Sequence, residues 1–333
     1  VMANPHYDRR DTVAEEERVP AAGASGTEKA RSKVSPNAWK KINGVCYNGS
    51  GEVIPGAITR GIDVSEWQGN IDWAQVKKSG IDFAFVRISY GANRLDKTYD
   101  ANMTKAELAG VPVGTYVYSL ALNTETALKE AQVAIEQMQG YKVSYPVVFD
   151  LEYSKASNLS RQEVSKLALT FCNEVRRAGY YPMVYCNVNW YNNYVDWSML
   201  SGMDVWLASY GDRIPAPDRS KYNYTIWQST DGNSEYGLNS TSGLVGGIPA
   251  GDDVDMNFGF VDYTKKITPR WKSVDSYVAS TTPDTGTADK EKEGLHKVDG
   301  KYYYVDENGS RVSSRWVTAN GKTYYISSDG YAL

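Results

Sequence analysis

The chain has 333 residues, 41% hydrophobic and 12% aromatic, and 36 Lys and Arg against 40 Asp and Glu leave a formal charge of -4. That length carries one large barrel or two domains with a substantial core. A pI near 5.4 offers no broad basic field, which argues against nucleic acid as a partner, and no apolar run reaches the roughly 18 residues that span a bilayer.

The rings are unevenly drawn, 26 Tyr and 9 Trp against 6 Phe. Such rings carry a polar tip and can line grooves or stack on sugars; the plainer reading is Tyr-rich strands. Cys46, Cys172 and Cys186 are too few for a disulfide framework and lack the C-x-x-C pairs of a zinc site. Cys172 falls in a helical pattern and Cys186 in a strand, so both read as small buried hydrophobes.

Residues 1–34, with RRDTVAEEER and AAGASGTEKARSK, show no apolar period and read as a disordered tether. The opening VMANPHYDRR lacks the apolar stretch of an export signal, which is expected to lie outside this sequence. Residues 35–57 are a short lead-in expected to pack on the outside of the domain that begins at Ile58. From Ile58 the pattern becomes regular, with eight apolar runs: ITRGIDVS, FAFVRISY, VPVGTYVYS, YPVVFDLEY, YPMVYCNVN, MDVWLASYG, YTIWQST and DVDMNFGF. Helical patterns fill the earlier gaps, over 71–79, 99–109, 124–139 and 161–178, each followed by Gly. The last of these opens on a capping box of Ser160 and Glu163. Strands alternating with helices predict a parallel sheet and an α/β fold: an irregular (β/α) barrel of eight strands over 58–270, with incomplete later helices.

The fourth run ends in Asp150 and Glu152, which period-2 alternation points to one side. Two carboxylates so placed raise each other's proton affinity, and a proton donor beside an ionised carboxylate is the equipment for breaking a glycosidic bond. An isolated D-x-E is more often a solvated strand end, so the context decides. In a (β/α) barrel the active site lies at the C-terminal ends of the strands. Those ends are expected to carry Asp63, Arg87, Tyr116 with Tyr118, Asp150 with Glu152, Asn187 with Asn189, Tyr210, Trp227 with Gln228, and Asp255. Acids and rings converging at one mouth suit a polysaccharide.

GIDVSEWQGNIDWAQVKKSGIDFAFVRIS, GTYVYS, VVFDLEY, VWLASY, IWQST and VDMNF, in that order, resemble the glycoside hydrolase family 25 lysozymes over roughly 200 of the 333 residues. The resemblance implies an N-acetylmuramidase that cleaves the β-1,4 bond between N-acetylmuramic acid and N-acetylglucosamine without metal or organic cofactor. It implies Glu152 as general acid, Asp150 as its partner, and Asp63 and Asp255 as flanking acids. Tyr116, Tyr118, Arg87, Tyr185, Asn187, Tyr210, Trp227 and Gln228 are the candidate substrate contacts. Arg87 stands where a Lys is common in the family, and Val117 with Tyr118 where a His-Phe pair is familiar. For mechanism, direct attack by Asp150, an inverting pair and assistance by the substrate's own N-acetyl group are all open, the last being preferred.

Residues 271–293, rich in Ser, Thr, Pro and Asp, read as a linker. In 294–333 the motif DGKYYY at 299 recurs as NGKTYY at 320, an offset of 21 residues (320 - 299), each unit an aromatic strand, a turn and a second strand. These units resemble cell-wall-binding repeats related to choline-binding modules, with Trp316, Tyr303, Tyr304, Tyr324 and Tyr325 as candidate ring contacts for a choline-bearing or other wall polymer. Tyr302 and Thr323 stand where the family often opens its aromatic triplet with Trp. The chain is therefore expected to be secreted or wall-associated and to act on peptidoglycan. The rival readings are a chitinase-like or endo-N-acetylglucosaminidase hydrolase and a non-catalytic glycan-binding wall protein.

Overall fold

The computed structural model describes residues 34–211, 215–232, 239–269, 283, 293–298, 301–307, 310–313, 315–319, 321–327 and 330–332. The expected tether (1–34, save Val34), nearly all of the expected linker (271–293) and the turn signals at 308–309 and 329 lie outside the described residues. The chain divides into two compact units, residues 1–283 and 284–333.

In the first unit a two-stranded hairpin, β1 (Lys41–Ile42) and β2 (Val45–Cys46), turns on Asn43 and Gly44. Both turn residues have positive φ (51° and 83°), the requirement of the tight turn that suits strand twist. The lead-in is fastened where the barrel begins: Arg60, itself buried, donates from Nε to the Trp39 carbonyl at 2.6 Å and from Nη1 to the Ser79 carbonyl at 2.7 Å.

The barrel strands are β3 (Thr59–Val64), β4 (Phe83–Tyr90), β6 (Val113–Tyr118), β7 (Val147–Asp150), β8 (Pro182–Asn187), β9 (Asp204–Ala208), β10 (Ile226–Thr230) and β11 (Asp255–Gly259), with β5 (Arg94–Leu95) appended to β4 as a hairpin. Their order is β3-β11-β10-β9-β8-β7-β6-β4, and β3 pairs with β4, so the sheet closes. All eight expected runs form strands. The parallel sheet needs one correction: β11 runs antiparallel to both β10 and β3. An antiparallel neighbour needs no crossover helix, and among the described residues no helix lies between β10 and β11.

Four helices cover the earlier strands: α1 (Trp73–Lys78), α2 (Tyr99–Leu108), α3 (Thr124–Met138) and α4 (Arg161–Arg177); α5 (Val188–Asn193) is a short fifth. Asp72 caps α1 and Asn123 caps α3 through their side chains, and Ser160 with Glu163 forms the expected capping box on α4.

Alternation along the strands makes two cores. Ile62, Val64, Val86, Phe149, Val184, Cys186, Leu207 and Phe258 face outward and pack with the helix residues Ala131, Ile135, Leu167, Phe171 and Val175. Phe83, Phe85, Tyr116, Tyr145, Val148, Met183, Tyr185, Trp206, Ile226 and Tyr263 form a second, ring-rich cluster inside the barrel. Phe83 stacks on Tyr145 (4.6 Å, 7°) and Phe85 on Trp206 (4.5 Å, 24°). Rings of this size fit because the neighbouring strands carry glycine beside them: a Cβ on Gly61 would run into the Phe83 ring, and one on Gly114 would sit 2.6 Å from Phe85. Tyr145, Tyr181 and Tyr263 meet edge-on at the end where β3 and β9 begin, with Tyr181 and Tyr263 both donating to Asp204. The barrel is thus filled and plugged at that end, and its polar interior layer lies at the other.

In the second unit, β12 (Gly294–Val298) pairs with β13 (Lys301–Val305) and β14 (Arg315–Ala319) with β15 (Lys322–Ile326), each antiparallel. The isolated bridges Val305 to Arg311 and Ile326 to Ala332 keep the offset of 21 (326 - 305 and 332 - 311), so the sequence repeat is a structural one. Tyr304, Val312 and Ile326 form its small core, and Ala332 N–H donates to the Tyr302 carbonyl at 2.7 Å, linking the two hairpins.

Candidate active site

At the polar end of the barrel four carboxyl groups approach one another. Asp63 lies near the end of β3, Asp150 ends β7, and Glu152 stands two residues on, where Leu151 N–H still pairs with the Tyr185 carbonyl (2.9 Å) and so keeps the alternation. Leu151 lies in the outer core while Asp150 and Glu152 are each 2% exposed, so the two acids share one side.

Asp255 reaches this mouth by a route the sequence does not suggest. It begins β11 rather than ending it, and the reversal of β11 sets it opposite Asp63 in register. Had β11 been parallel, as expected, Asp255 would lie at the plugged end.

Burial dominates the electrostatics. Asp150 is raised well above the usual carboxylate range, first by desolvation and then by Glu152 and Asp63, with Arg87 opposing. Asp255 is raised likewise by burial and by Asp63, Asp231 and Glu152. Asp63 is pushed up only to about 7, because burial is offset by hydrogen bonds from Asn257, Gln228 and Asp255. Burial and mutual proximity thus raise the proton affinity of Asp63, Asp150 and Asp255 together. Asp150 Oδ1, Asp255 Oδ1 and the Tyr116 hydroxyl are buried with no hydrogen-bond partner in the protein. All three belong to this layer, and a substrate's hydroxyl and amide groups can satisfy them.

The other expected contacts divide. Tyr118 stacks on Tyr90 (4.6 Å, 7°), with the Arg94 guanidinium 5.8 Å from the Tyr90 ring centre, a ring platform beside the mouth. Tyr185 and Tyr210 both donate to Gln228 Oε1 at 2.7 Å. Asn187 caps α5, accepting from Trp190 N–H at 3.0 Å. Arg87 is turned to Asp96 (2.9 Å) and Glu66 (3.4 Å), a buried ion cluster joined by Arg94 on Glu66 (2.9 Å). Trp227 is a correction: being odd where Gln228 is inward, its ring faces the outer core beside Phe258, and Nε1–H donates to the Ser209 carbonyl at 2.9 Å.

Sequence reasoning missed several groups. Asn257, on β11, donates to Asp63 Oδ2 at 2.7 Å and is itself oriented by Trp206 Nε1–H (2.7 Å). Asp231, just past β10 and 2% exposed, lies near Asp255 and Tyr210. Asp96 organises the ion cluster, accepting also from Glu66 N–H and Thr98. Asn257 alternates with Asp255 in VDMNF, the one signal that pointed to it.

Of the repeat residues, Trp316 is 70% exposed and meets Tyr325 edge-on (5.3 Å, 60°). Tyr304 and Tyr324 pack in the small core. Tyr303 stacks with His296 (5.4 Å, 20°), and the Arg311 guanidinium lies 3.5 Å from its ring centre.

Residues 62–238 match the sequence profile of the glycosyl hydrolases family 25, and residues 294–310 and 314–332 match the cell wall binding repeat. The chain is 27% identical to Lysozyme M1 of Streptomyces globisporus over 60% of its own length and 66% of that protein's. It is 26% identical to the autolytic lysozyme of Clostridium acetobutylicum over 56% of its own length and 54% of the relative's. It therefore spans less than two thirds of either relative. Among solved structures, the bacterial lysozyme of Streptomyces coelicolor superposes with a TM-score of 0.50 at 25% identity, over 60% of this chain and 90% of that one. The profile covers more than half of the chain and includes Asp63, Asp150 and Glu152. The chain belongs to the glycosyl hydrolases family 25.

Proposed function

We propose that this protein is a lysozyme that cleaves the β-1,4 bond between N-acetylmuramic acid and N-acetylglucosamine in peptidoglycan, held at the wall by its C-terminal repeats. The observation that carries the reading is the meeting of Asp63, Asp150, Glu152 and Asp255 at the polar end of a barrel otherwise filled and plugged by rings. The two relatives from Streptomyces globisporus and Clostridium acetobutylicum are lysozymes, and the repeats match a wall-binding profile. Both features suit a secreted or wall-associated protein; among the described residues no helix is long and apolar enough to cross a membrane.

Chemically, burial raises the proton affinity of Asp150. When the substrate's N-acetyl N–H donates to Asp150, the anion is favoured there and the proton is available to Glu152. Glu152 then protonates the leaving glycosidic oxygen as the bond to the anomeric carbon breaks. The acetamido oxygen attacks that carbon to form an oxazolinium ion, whose positive charge the Asp150 carboxylate balances. Water, deprotonated by Glu152, opens the ring with overall retention. The Tyr90–Tyr118 platform offers a stacking face for a sugar.

Mass analysis of reducing ends released from purified peptidoglycan tests this. The intact protein should release N-acetylmuramic acid ends, and Glu152→Gln should release them at least about 10²-fold more slowly. N-acetylglucosamine ends would assign the protein to the glucosaminidases instead. A protein that pellets with walls yet releases neither sugar would be a binder.

A further inference from the structure

Gln228 sits at the centre of the acid cluster, on β10, 2% exposed, and its carboxamide has no hydrogen-bonding capacity left for a substrate. Nε2 donates to Asp63 Oδ2 at 2.9 Å and to Asp255 Oδ2 at 2.7 Å. Oε1 accepts from the Tyr185 and Tyr210 hydroxyls, both at 2.7 Å. A carboxamide offers two N–H bonds and two lone pairs, and here all four are engaged.

The arrangement is directional. Turned over, the amide would set its oxygen against two carboxyl groups, which is tolerable only when both are protonated. The two phenols, donating to Oε1, hold it the other way. Asn257 repeats the device at Asp63: Trp206 Nε1–H, which can only donate, takes Asn257 Oδ1 and leaves Nδ2 for Asp63. Asp63 thus receives two amide N–H groups and Asp255 receives one, while burial and the proximity of Asp63 raise the proton affinity of Asp255. The acid with more donors is the better place for the negative charge, and the other is the better place for the proton.

We propose that Gln228 is a positioning residue of this active site: oriented by Tyr185 and Tyr210, it fixes Asp63 as the carboxylate and Asp255 as the carboxylic acid of a proton-sharing pair. Asp63 then faces the Asp150–Glu152 pair as an anion able to stabilise positive charge developing at the anomeric carbon, without a second full charge beside it. The other titratable or charged groups around the pair are Asp150 and Glu152 from the β7 end, Tyr116 on β6, Arg87 on β4 and Asp231 after β10. The inference rests on the proposed hydrolase reading for its kinetic test only.

The test uses the full chain with Gln228→Glu and with the double variant Tyr185→Phe/Tyr210→Phe. Gln228→Glu keeps the acceptors for the phenols but removes both donors. It should lower kcat by about 10²-fold or more with KM changed less than about threefold, and should move the acidic limb of the rate profile to higher pH. The double variant frees the amide to turn, and should move the same limb in the same direction with a smaller loss of kcat. A raised KM with an unmoved pH profile would overturn the proposal and make Gln228 a substrate contact. Independently of turnover, 13C-carboxyl NMR titration of Asp-labelled protein reads the pair itself. The Asp63 signal, identified by its loss in Asp63→Asn, should titrate about one unit or more higher in the double variant than in the parent; an unchanged titration overturns the proposal. If the parent protein hydrolyses no wall polymer, the function fails while this NMR result still decides the role of Gln228.

Discussion

Glu130 is a carboxylate without access to solvent in the middle of α3, accepting from Ser119 Oγ (2.7 Å) and Leu120 N–H (2.8 Å) just past the end of β6. Burial pushes it from the ordinary 4.5 up to about 7, against the lowering effect of those two bonds. Since the folded state holds this proton more tightly than the unfolded chain, stability from this residue is greatest below about pH 4.5, falls as pH rises, and levels off above about 7. A rise from 4.5 to about 7 corresponds to roughly 3 kcal/mol. Glu130→Gln keeps an acceptor for Leu120 and a donor for Ser119 and carries no charge. Urea unfolding at pH 5 and pH 8 should therefore show the variant gaining on the parent as pH rises, by roughly 2 kcal/mol. A difference that stays constant across this range would mean that Glu130 does not titrate in the window. Nothing in TETALKEAQVAIEQM marked Glu130 as other than a solvated helix residue, whereas the Asp150–Glu152 pair was legible because a strand's alternation is local.

At the scale of elements, the barrel's interior is decided by pairs of strands rather than by any one of them. Phe83 and Phe85 read as ordinary strand residues, yet their rings fit because Gly61 and Gly114 leave the space beside them empty. A Cβ on Gly114 would lie 2.5 Å from the Pro146 carbonyl oxygen, which belongs to the neighbouring backbone and cannot turn aside, as well as 2.6 Å from the Phe85 ring. Gly114→Ala is expected to lower the unfolding free energy by about 2–3 kcal/mol through overpacking, measured by urea denaturation. An unaffected midpoint would show that the strands can separate to admit the methyl group. The same pairing explains the misplacement of Trp227. Its run, YTIWQST, is apolar on both faces, as buried barrel strands are, so the sequence alone left open which of Trp227 and Gln228 pointed inward. The register with β9 and β11 puts Gln228 with the acids and Trp227 with the outer core.

For the whole molecule, the two units divide the work in the proposed reading, chemistry in residues 1–283 and attachment in 284–333. Trp316, the most exposed ring among the five expected wall contacts, packs on little within its own unit, so Trp316→Ala should leave the fold of the repeats intact. Sedimentation with purified walls should show a severalfold weaker attachment, while turnover of a soluble peptidoglycan fragment stays as in the parent; equal pelleting of both proteins would remove Trp316 from the binding surface. The sequence by itself determined the eight barrel strands, the four earlier helices, the 21-residue repeat and the Asp150–Glu152 pair, since each of these is a local pattern of period, cap or spacing. Tertiary structure alone decided the direction of β11, and with it the arrival of Asp255 opposite Asp63. It also decided that Gln228, Asn257, Tyr185 and Tyr210 serve the acids rather than face outward to solvent. These are contacts between strands as much as 194 positions apart, and strand direction and hydrogen-bond partners at that range are fixed by closure of the sheet, which no local window of the chain contains.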